Sequence, residues 1–404
     1  MSLKDLKASP AKRLQLAEID LTLLTTVMVL LLFSIFFIYT ASSIRAERLY
    51  EDSAFFLKRQ FVRVLIALVV MFFIIRIDYH RVLLYSPPAY WLALALLVFL
   101  LFAPESWMIR GSRRWIMLGP LQFQPSDFAK YALIFYLAGN LTKPELDPEN
   151  FVDGLLPQLI LIGAVVVGVA LEPDLGTALS IATIAFIMLF IAGAKLGHLF
   201  FLLFGAALAA ISMLWRVAYQ RGRVESFLAS LLGDAEPAWQ VRQSLISLGN
   251  GGLFGVGLGQ SKQKLLFLPD PFTDFIMAII GEELGLIGTL AVVFMFFIII
   301  WRGFHIAHRA TDRAGKLAAI GITSAIALYA LVNAGVVTHT LPTTGIPLPF
   351  ISYGGSALMM NLFGIGVLLN ISQFTGNRTA SKNRVNMIPV ASVKWFKERK
   401  RVRR

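Results

Sequence analysis

The chain has 404 residues, of which 57% are hydrophobic and only 15% charged, with a mean hydropathy of +0.71. These values exclude a soluble globular or disordered chain and indicate a polytopic membrane protein, to which 32 Phe and 7 Trp add lipid-facing and interfacial aromatics. The net charge of +13 is concentrated at the ends and reads as an orientation signal and contact with anionic lipid, not as nucleic-acid binding. The absence of Cys excludes disulfides and thiol chemistry.

The first 18 residues are polar and basic, so no cleavable signal is expected there. A span needs roughly 20 mostly apolar residues, which predicts an all-α protein of about ten transmembrane helices. In chain order these are Leu21–Ala41, Phe61–Ile77, Tyr85–Phe102, Pro125–Leu141, Leu155–Leu171, Leu175–Ala192, Leu196–Trp215, Asp274–Trp301, Leu317–Val337 and Leu358–Ile371. The expected organisation is an N-terminal segment (1–20), a membrane domain (21–372) with a large extracytoplasmic loop between helices 7 and 8 (216–273), and a basic tail (373–404). No internal repeat is evident.

Lys4, Lys7, Lys12 and Arg13, the connection with Arg302, Arg309, Arg313 and Lys316, and the Arg- and Lys-rich tail all fall on one side of an even number of spans. By the positive-inside rule that side is the cytoplasm, so both termini are cytoplasmic. Arg110, Arg113, Arg114, Arg216, Arg221, Arg223, Arg242, Lys262 and Lys264 then face outside. The rule disfavours cations there, so either an anionic ligand meets them or they snorkel to lipid phosphates.

Five stretches carry polar chemistry. Arg113, Arg114 and Trp115 precede Gln124-Pro-Ser126, Asp127 and Lys130; guanidinium and ammonium groups suit phosphate, Trp115 could stack on a sugar, and Asp127 and Lys130, three apart, share a helix face and can simply pair. Glu172-Pro-Asp174 is a tight turn in which Asp174 fits a helix N-cap. The glycines from Gly249 to Gly259 follow no strand and end in no Gly-Lys-Ser/Thr, so they suit close backbone approach better than nucleotide binding. In Leu268 to Glu283, Asp274 stands at the mouth of an apolar helix, where an ionisable group is a functional candidate by default. Glu282, roughly 80° round that helix, can share its cavity, whereas Glu283 points nearly opposite. Finally, Leu341 to Ser356 holds three Pro and three Gly, with Ser352 and Ser356, and forms a shaped loop walling the same cavity. His305 and His308 lack a third ligand and read as interfacial residues, with no metal site.

Together these stretches resemble the SEDS proteins (shape, elongation, division and sporulation) of bacteria. The resemblance rests on Arg113-Arg-Trp-Ile116, Leu118-Gly-Pro120, Gln124-Pro-Ser126 with Lys130, Pro173-Asp-Leu-Gly-Thr177, Gln243-Ser-Leu-Ile246, Thr273-Asp-Phe-Ile276, Gly281-Glu-Glu-Leu-Gly285, Thr344-Gly-Ile-Pro-Leu-Pro349 and Ile351-Ser-Tyr-Gly-Gly-Ser356, in family order. Lys262-Gln-Lys264 looks more like the division and sporulation branch than the elongation branch. The resemblance implies a peptidoglycan glycosyltransferase of the bacterial inner membrane that polymerises lipid II onto a glycan carried on undecaprenyl diphosphate. It implies a class B penicillin-binding protein as crosslinking partner, within the divisome or elongasome. The family's required acid falls on Asp274 beside Thr273. Three positions depart from the pattern: Asp127 and Asp270 stand where Glu is usual, and Phe272 where His is common. His339-Thr340 is also outside it.

On this reading Asp274 is the general base, and Arg113, Arg114, Lys130, Arg242, Lys262 and Lys264 are the candidate cations for the leaving diphosphate. No cofactor is evident; a divalent cation, Mg or Mn, is compatible with a diphosphate substrate. The alternatives are a lipid II flippase or transporter, which would need access from both leaflets, and a non-catalytic scaffold, in which Asp274 would be replaceable.

Overall fold

The computed structural model describes residues 19–104, 107–108, 112–118, 121–216, 218–265, 267–269 and 271–386. Lys4, Lys7, Lys12, Arg13, Arg110, Asp270 and the tail from 387 onward lie outside the described residues.

Thirteen helices run along the described chain: α1 Leu21–Tyr50, α2 Phe55–Ile75, α3 Tyr79–Leu84, α4 Ser86–Leu101, α5 Pro125–Asn140, α6 Leu156–Leu171, α7 Leu175–Ala192, α8 Leu196–Arg216, α9 Ala218–Leu232, α10 Trp239–Gly251, α11 Ile276–Arg309, α12 Arg313–Val337 and α13 Ser356–Asn386. A short π-helical turn, Phe151–Leu155, leads into α6. Each expected apolar run became a helix, and the larger differences lie at the ends. α1 continues to Tyr50 and α11 to Arg309, because amphipathic turns prolong a helix past the last strictly apolar residue. An antiparallel hairpin of β1 Ile116–Leu118 and β2 Leu121–Phe123, absent from the expected elements, follows Arg113-Arg-Trp115.

Local chemistry explains the helix starts. Asp20 accepts from the Leu23 N–H at 3.0 Å, Asp174 from Thr177 at 3.2 Å and Asp312 from Gly315 at 3.0 Å, each an N-cap. Pro125 opens α5, where its missing N–H costs nothing. Among the described residues, six segments are long and apolar enough to cross a bilayer: Leu21–Tyr50, Phe151–Leu171, Leu175–Ala192, Ile276–Arg309, Arg313–Val337 and Ser356–Phe374. The protein is therefore a multi-pass membrane protein. The apolar stretches of α12 and of Ser356–Phe374 are mostly buried in the bundle, whereas the apolar stretch of α11 beyond its buried first turns is largely turned outward.

α11 is broken near its head. At Gly285 the backbone turns to φ 69°, ψ −163°, and residues 252–257 insert there. The Leu286 and Ile287 N–H groups donate to Gly252 and Leu253 carbonyls (2.9 and 3.2 Å), while Val256 and Gly257 donate to the Glu282 and Glu283 carbonyls (2.9 and 3.2 Å). Insertion into the i to i−4 ladder is a recognised cause of a kink. A Cβ on Gly285 would lie 2.4 Å from the Gly255 nitrogen, and one on Gly255 2.2 Å from the Glu283 carbonyl oxygen. The glycine run thus serves backbone-to-backbone packing, as its composition suggested.

At the opposite end of α11, Arg302 pairs with Asp20 at 2.6 Å, and the Asp20 N–H donates to Ser372 at 3.1 Å, tying α1, α11 and α13 together. Beside them His80 bridges Asp78 (2.7 Å) and Asp312 (3.3 Å), and the Tyr79 hydroxyl donates to Asp312 at 2.7 Å.

Candidate functional site

The segment 341–356 is the hub on the opposite side of the bundle from that ion pair. Its prolines and glycines prevent helix, so its backbone groups need partners from elsewhere. They find them on nearly every neighbouring element. Ser34 of α1 donates to the Ile351 carbonyl at 2.9 Å, and Gln60 of α2 supports Ser34 at 3.2 Å. Arg223 of α9 donates to the Thr343 carbonyl at 3.1 Å. The Ser356 hydroxyl donates to Asp127 of α5 at 2.8 Å. A Cβ on Gly176, in the first turn of α7, would come within 2.9 Å of Thr344 Cβ, so that turn abuts the loop directly.

Asp274 sits in the turn two residues before α11 and is partly exposed. Its backbone is clamped to this loop. Asn333 of α12, fully buried, donates through one amide nitrogen to the Asp274 carbonyl (2.7 Å) and the Ile346 carbonyl (2.9 Å). Ser352 donates to the Thr273 carbonyl at 2.6 Å while accepting from the Leu348 N–H at 2.9 Å, and the Tyr353 N–H donates to Phe272 at 2.9 Å. Gly345, at φ 76°, lies against the carboxylate, and a Cβ there would stand 3.5 Å from Asp274 Oδ2. The acid was expected in or near the first helical turn; it precedes that turn, on irregular backbone fixed by hydrogen bonds.

Below the loop, Asp127 and Lys130 form a buried pair at 3.7 Å, with the ammonium 3.7 Å from the Tyr329 ring centroid. The two groups pair with each other, as their spacing allows, and Ser356 ties them to the loop. On the α7 side, Arg114 donates to Ser112 (2.7 Å), to the Glu172 carbonyl (3.2 Å) and to the Pro173 carbonyl, and approaches Asp174 at 3.6 Å. It therefore fixes the Glu172-Pro-Asp174 turn. Burial, reinforced by Asp174 and opposed by Arg114, pushes the Glu172 carboxyl up to about 9.

The other expected site residues divide. Glu282 was expected to share the Asp274 cavity. Its carboxylate is instead committed to the segment after the glycine run, accepting from Ser247 (3.1 Å), the Lys262 N–H (3.1 Å), the Gln263 N–H (3.4 Å) and Ser261. Lys264, expected at a diphosphate, is buried and committed to the Gly259 carbonyl and to Glu283 at 3.4 Å. Arg242 is exposed and pairs with Glu236. Lys262 is exposed, and Arg113 and Trp115 are partly buried.

Three residues escaped the sequence reading. Asn333 is one; a lone Asn in an apolar span was its only signal. Arg45 lies 6.0 Å from the Phe272 ring and Arg63 4.4 Å from the Tyr353 ring, where Phe272 and Tyr353 meet edge-on at 5.5 Å beside Thr273. Arg63 lies within the second expected span, and a charge inside a span is the signal that should have marked it. His339, unexplained by the sequence pattern, meets Ser230 at 2.7 Å and the Phe227 ring at 5.3 Å, so it docks α9 onto the end of α12.

The described residues form a multi-pass helical membrane bundle in which an acid is clamped beneath a proline-glycine loop. The chain belongs to the family described as Cell cycle protein (FTSW_RODA_SPOVE), whose pattern it matches over residues 20–377; this is the SEDS family to which the motifs pointed. It is 40% identical over 365 residues to the probable peptidoglycan glycosyltransferase FtsW of Trichlorobacter lovleyi, covering 89% of this chain and 95% of that one. To the stage V sporulation protein E of Bacillus subtilis it is 38% identical over 356 residues, covering 88% and 97%. Its fold is similar, at TM-score 0.72 and 28% identity over 88% of this chain and 98% of the other, to a chain in a solved structure described as "Structural coordination of polymerization and crosslinking by a peptidoglycan synthase complex".

Proposed function

We propose that this protein is a peptidoglycan glycosyltransferase that polymerises lipid II, with Asp274 as general base. The observation that carries this reading is the clamp on the Thr273-Asp274 turn, which holds a partly exposed carboxylate against Gly345 through bonds made by its backbone. An acid positioned in this way keeps a fixed geometry through a catalytic cycle. The acceptor is a sugar hydroxyl of incoming lipid II and the donor a glycan on undecaprenyl diphosphate. The hydroxyl oxygen attacks the anomeric carbon as Asp274 takes its proton; the C–O bond to the diphosphate breaks, with inversion, and undecaprenyl diphosphate leaves. Such a base contributes about 10²–10⁴-fold.

The negative charge growing on the leaving oxygen needs cations. Arg113 and Lys262 fill this role, joined by Arg45 and Arg63, while Lys130, buried in its pair with Asp127, lends its charge from beneath the loop. Arg114 and Lys264 act through the turns they brace, and Arg242 stands at the edge. Trp115 supplies an aromatic face for a sugar. Asp127, Asp174, Glu282, Ser352 and Ser356 shape the polar interior. A divalent cation, Mg or Mn, would accompany the diphosphate as part of the substrate.

The same reading assigns about ten spans to the membrane domain 21–372. It places the segment 216–273 outside the cytoplasm between the seventh and eighth spans, and the segments 1–20 and 373–404 in the cytoplasm of the bacterial inner membrane, the basic tail against anionic lipid. A class B penicillin-binding protein of the division or elongation machinery would crosslink the product.

The test uses the purified chain with lipid II and no other polymerase. Glycan product that disappears with Asp274→Asn, while the variant melts at the wild-type temperature, supports the enzyme. Lipid II transfer between leaflets without polymer would favour the flippase, and undiminished polymer from Asp274→Asn would remove the base.

A further inference from the structure

We propose that residues 239–261 form a re-entrant element, and that its tip, Leu253 to Leu258, lies in the lipid hydrocarbon on the Asp274 side of the membrane. α10 runs down the head of α11, with Ser247 donating to the Ala278 carbonyl at 3.0 Å, and the chain then reaches Leu286 and Ile287 through the backbone bonds at the break. Arg302, paired with buried Asp20, marks the opposite membrane boundary. From Ile287 to Arg302 is 302 − 287 = 15 residues of α11, about 22 Å at helical rise. A hydrocarbon core is about 30 Å thick, so the tip lies within it.

Four further observations agree with that depth. Between Arg242 and Lys262 there is no charged residue, and those two cations bracket the segment as interfacial anchors do. The tip side chains are apolar and exposed: Leu253 is 60% exposed, Phe254 79%, Val256 43% and Leu258 54%. They continue the outward apolar surface of α11 at Leu286 and Ile287. Irregular backbone survives at membrane depth only when its polar groups are satisfied by protein, and here the carbonyls of Gly252 and Leu253 and the N–H groups of Val256 and Gly257 all bond to α11. A patch of this composition facing water would be an aggregation liability. Acyl chains are the occupant that matches it.

The absence of Cys makes a direct test available. Single Cys residues are placed by Phe254→Cys and Leu258→Cys, with Asp234→Cys as the water control and Phe297→Cys as the lipid control. Each is spin-labelled in the full chain, reconstituted alone in phosphatidylethanolamine–phosphatidylglycerol vesicles, and scored for accessibility to oxygen and to a water-soluble nickel chelate. The expected result is an oxygen-to-nickel ratio at 254 and 258 close to that at 297 and several-fold above that at 234. A ratio matching position 234 would overturn the proposal, because the tip would then be in water. Low accessibility to both probes with an immobilised spectrum would also overturn it, in favour of contact with a second copy of the chain.

Discussion

Asp274 and Glu282 lie eight residues apart at the head of one helix, and the bundle treats them oppositely. Asp274 is held by its backbone: Asn333 takes its carbonyl and Ser352 that of Thr273, so its carboxylate stands at the edge of a shaped loop. Glu282 is held by its side chain, which accepts from two hydroxyls and two backbone N–H groups and is almost wholly buried. On the proposed function the acid fixed through its carbonyl meets the substrate, whereas Glu282, whose oxygens satisfy a turn, is part of the scaffold. The same division separates Lys262, exposed, from Lys264, locked to Glu283.

The contrast is broken most forcefully at Asp274. Asp274→Asn should lower lipid II polymerisation by about 10²–10⁴-fold with no change in melting temperature. Glu282→Gln should do the reverse. It loses a charged acceptor for several donors and should destabilise the fold by about 3 kcal/mol, read as a lower melting temperature in detergent, while turnover per folded molecule persists. Asn333→Leu sharpens the comparison further. It removes the donor to two buried carbonyls and should cost about 1–3 kcal/mol, appearing as a fall in kcat at unchanged lipid II KM if the lost clamp acts on Asp274. Equal losses of kcat and of folded protein would make Asn333 a stability residue only.

The smallest effect lies at the far end of the bundle, where neither acid is involved. Hydrogen bonds to Asp312 and Asp78 raise His80 from 6.5 to about 9, against its partial burial. A raised folded value means the charged form favours the fold. The contribution is complete below about pH 6.5 and fades as pH rises towards 9. The melting temperature should therefore fall modestly across that window in wild type, and His80→Gln should flatten the change.

Much of the fold was legible because lipid demands long apolar runs and water demands caps. Leu175–Ala192 was read to the residue, Pro125 marked the start of α5, and Asp174 marked a cap, each a local consequence of hydropathy or of an unpaired N–H. The hairpin at Ile116–Phe123 was not legible, since three-residue strands carry too little pattern to register. At the site, Asp274 was legible as a carboxylate at the mouth of an apolar helix. Asn333, Arg45 and Arg63 were missed because their relevance comes from elements more than two hundred residues apart in the cases of Arg45 with Phe272 and Arg63 with Tyr353.

By itself, then, the sequence determined that the chain lives in a membrane, where several of its helices begin, and which motifs gather polar chemistry, because those properties follow from neighbours within a few turns. Only the tertiary structure decided which charges are committed to scaffold and which border the Asp274 turn. Hydrogen-bond partners at a proline-glycine loop come from α1, α5, α9 and α12 together, and no local pattern encodes a meeting of segments so distant along the chain.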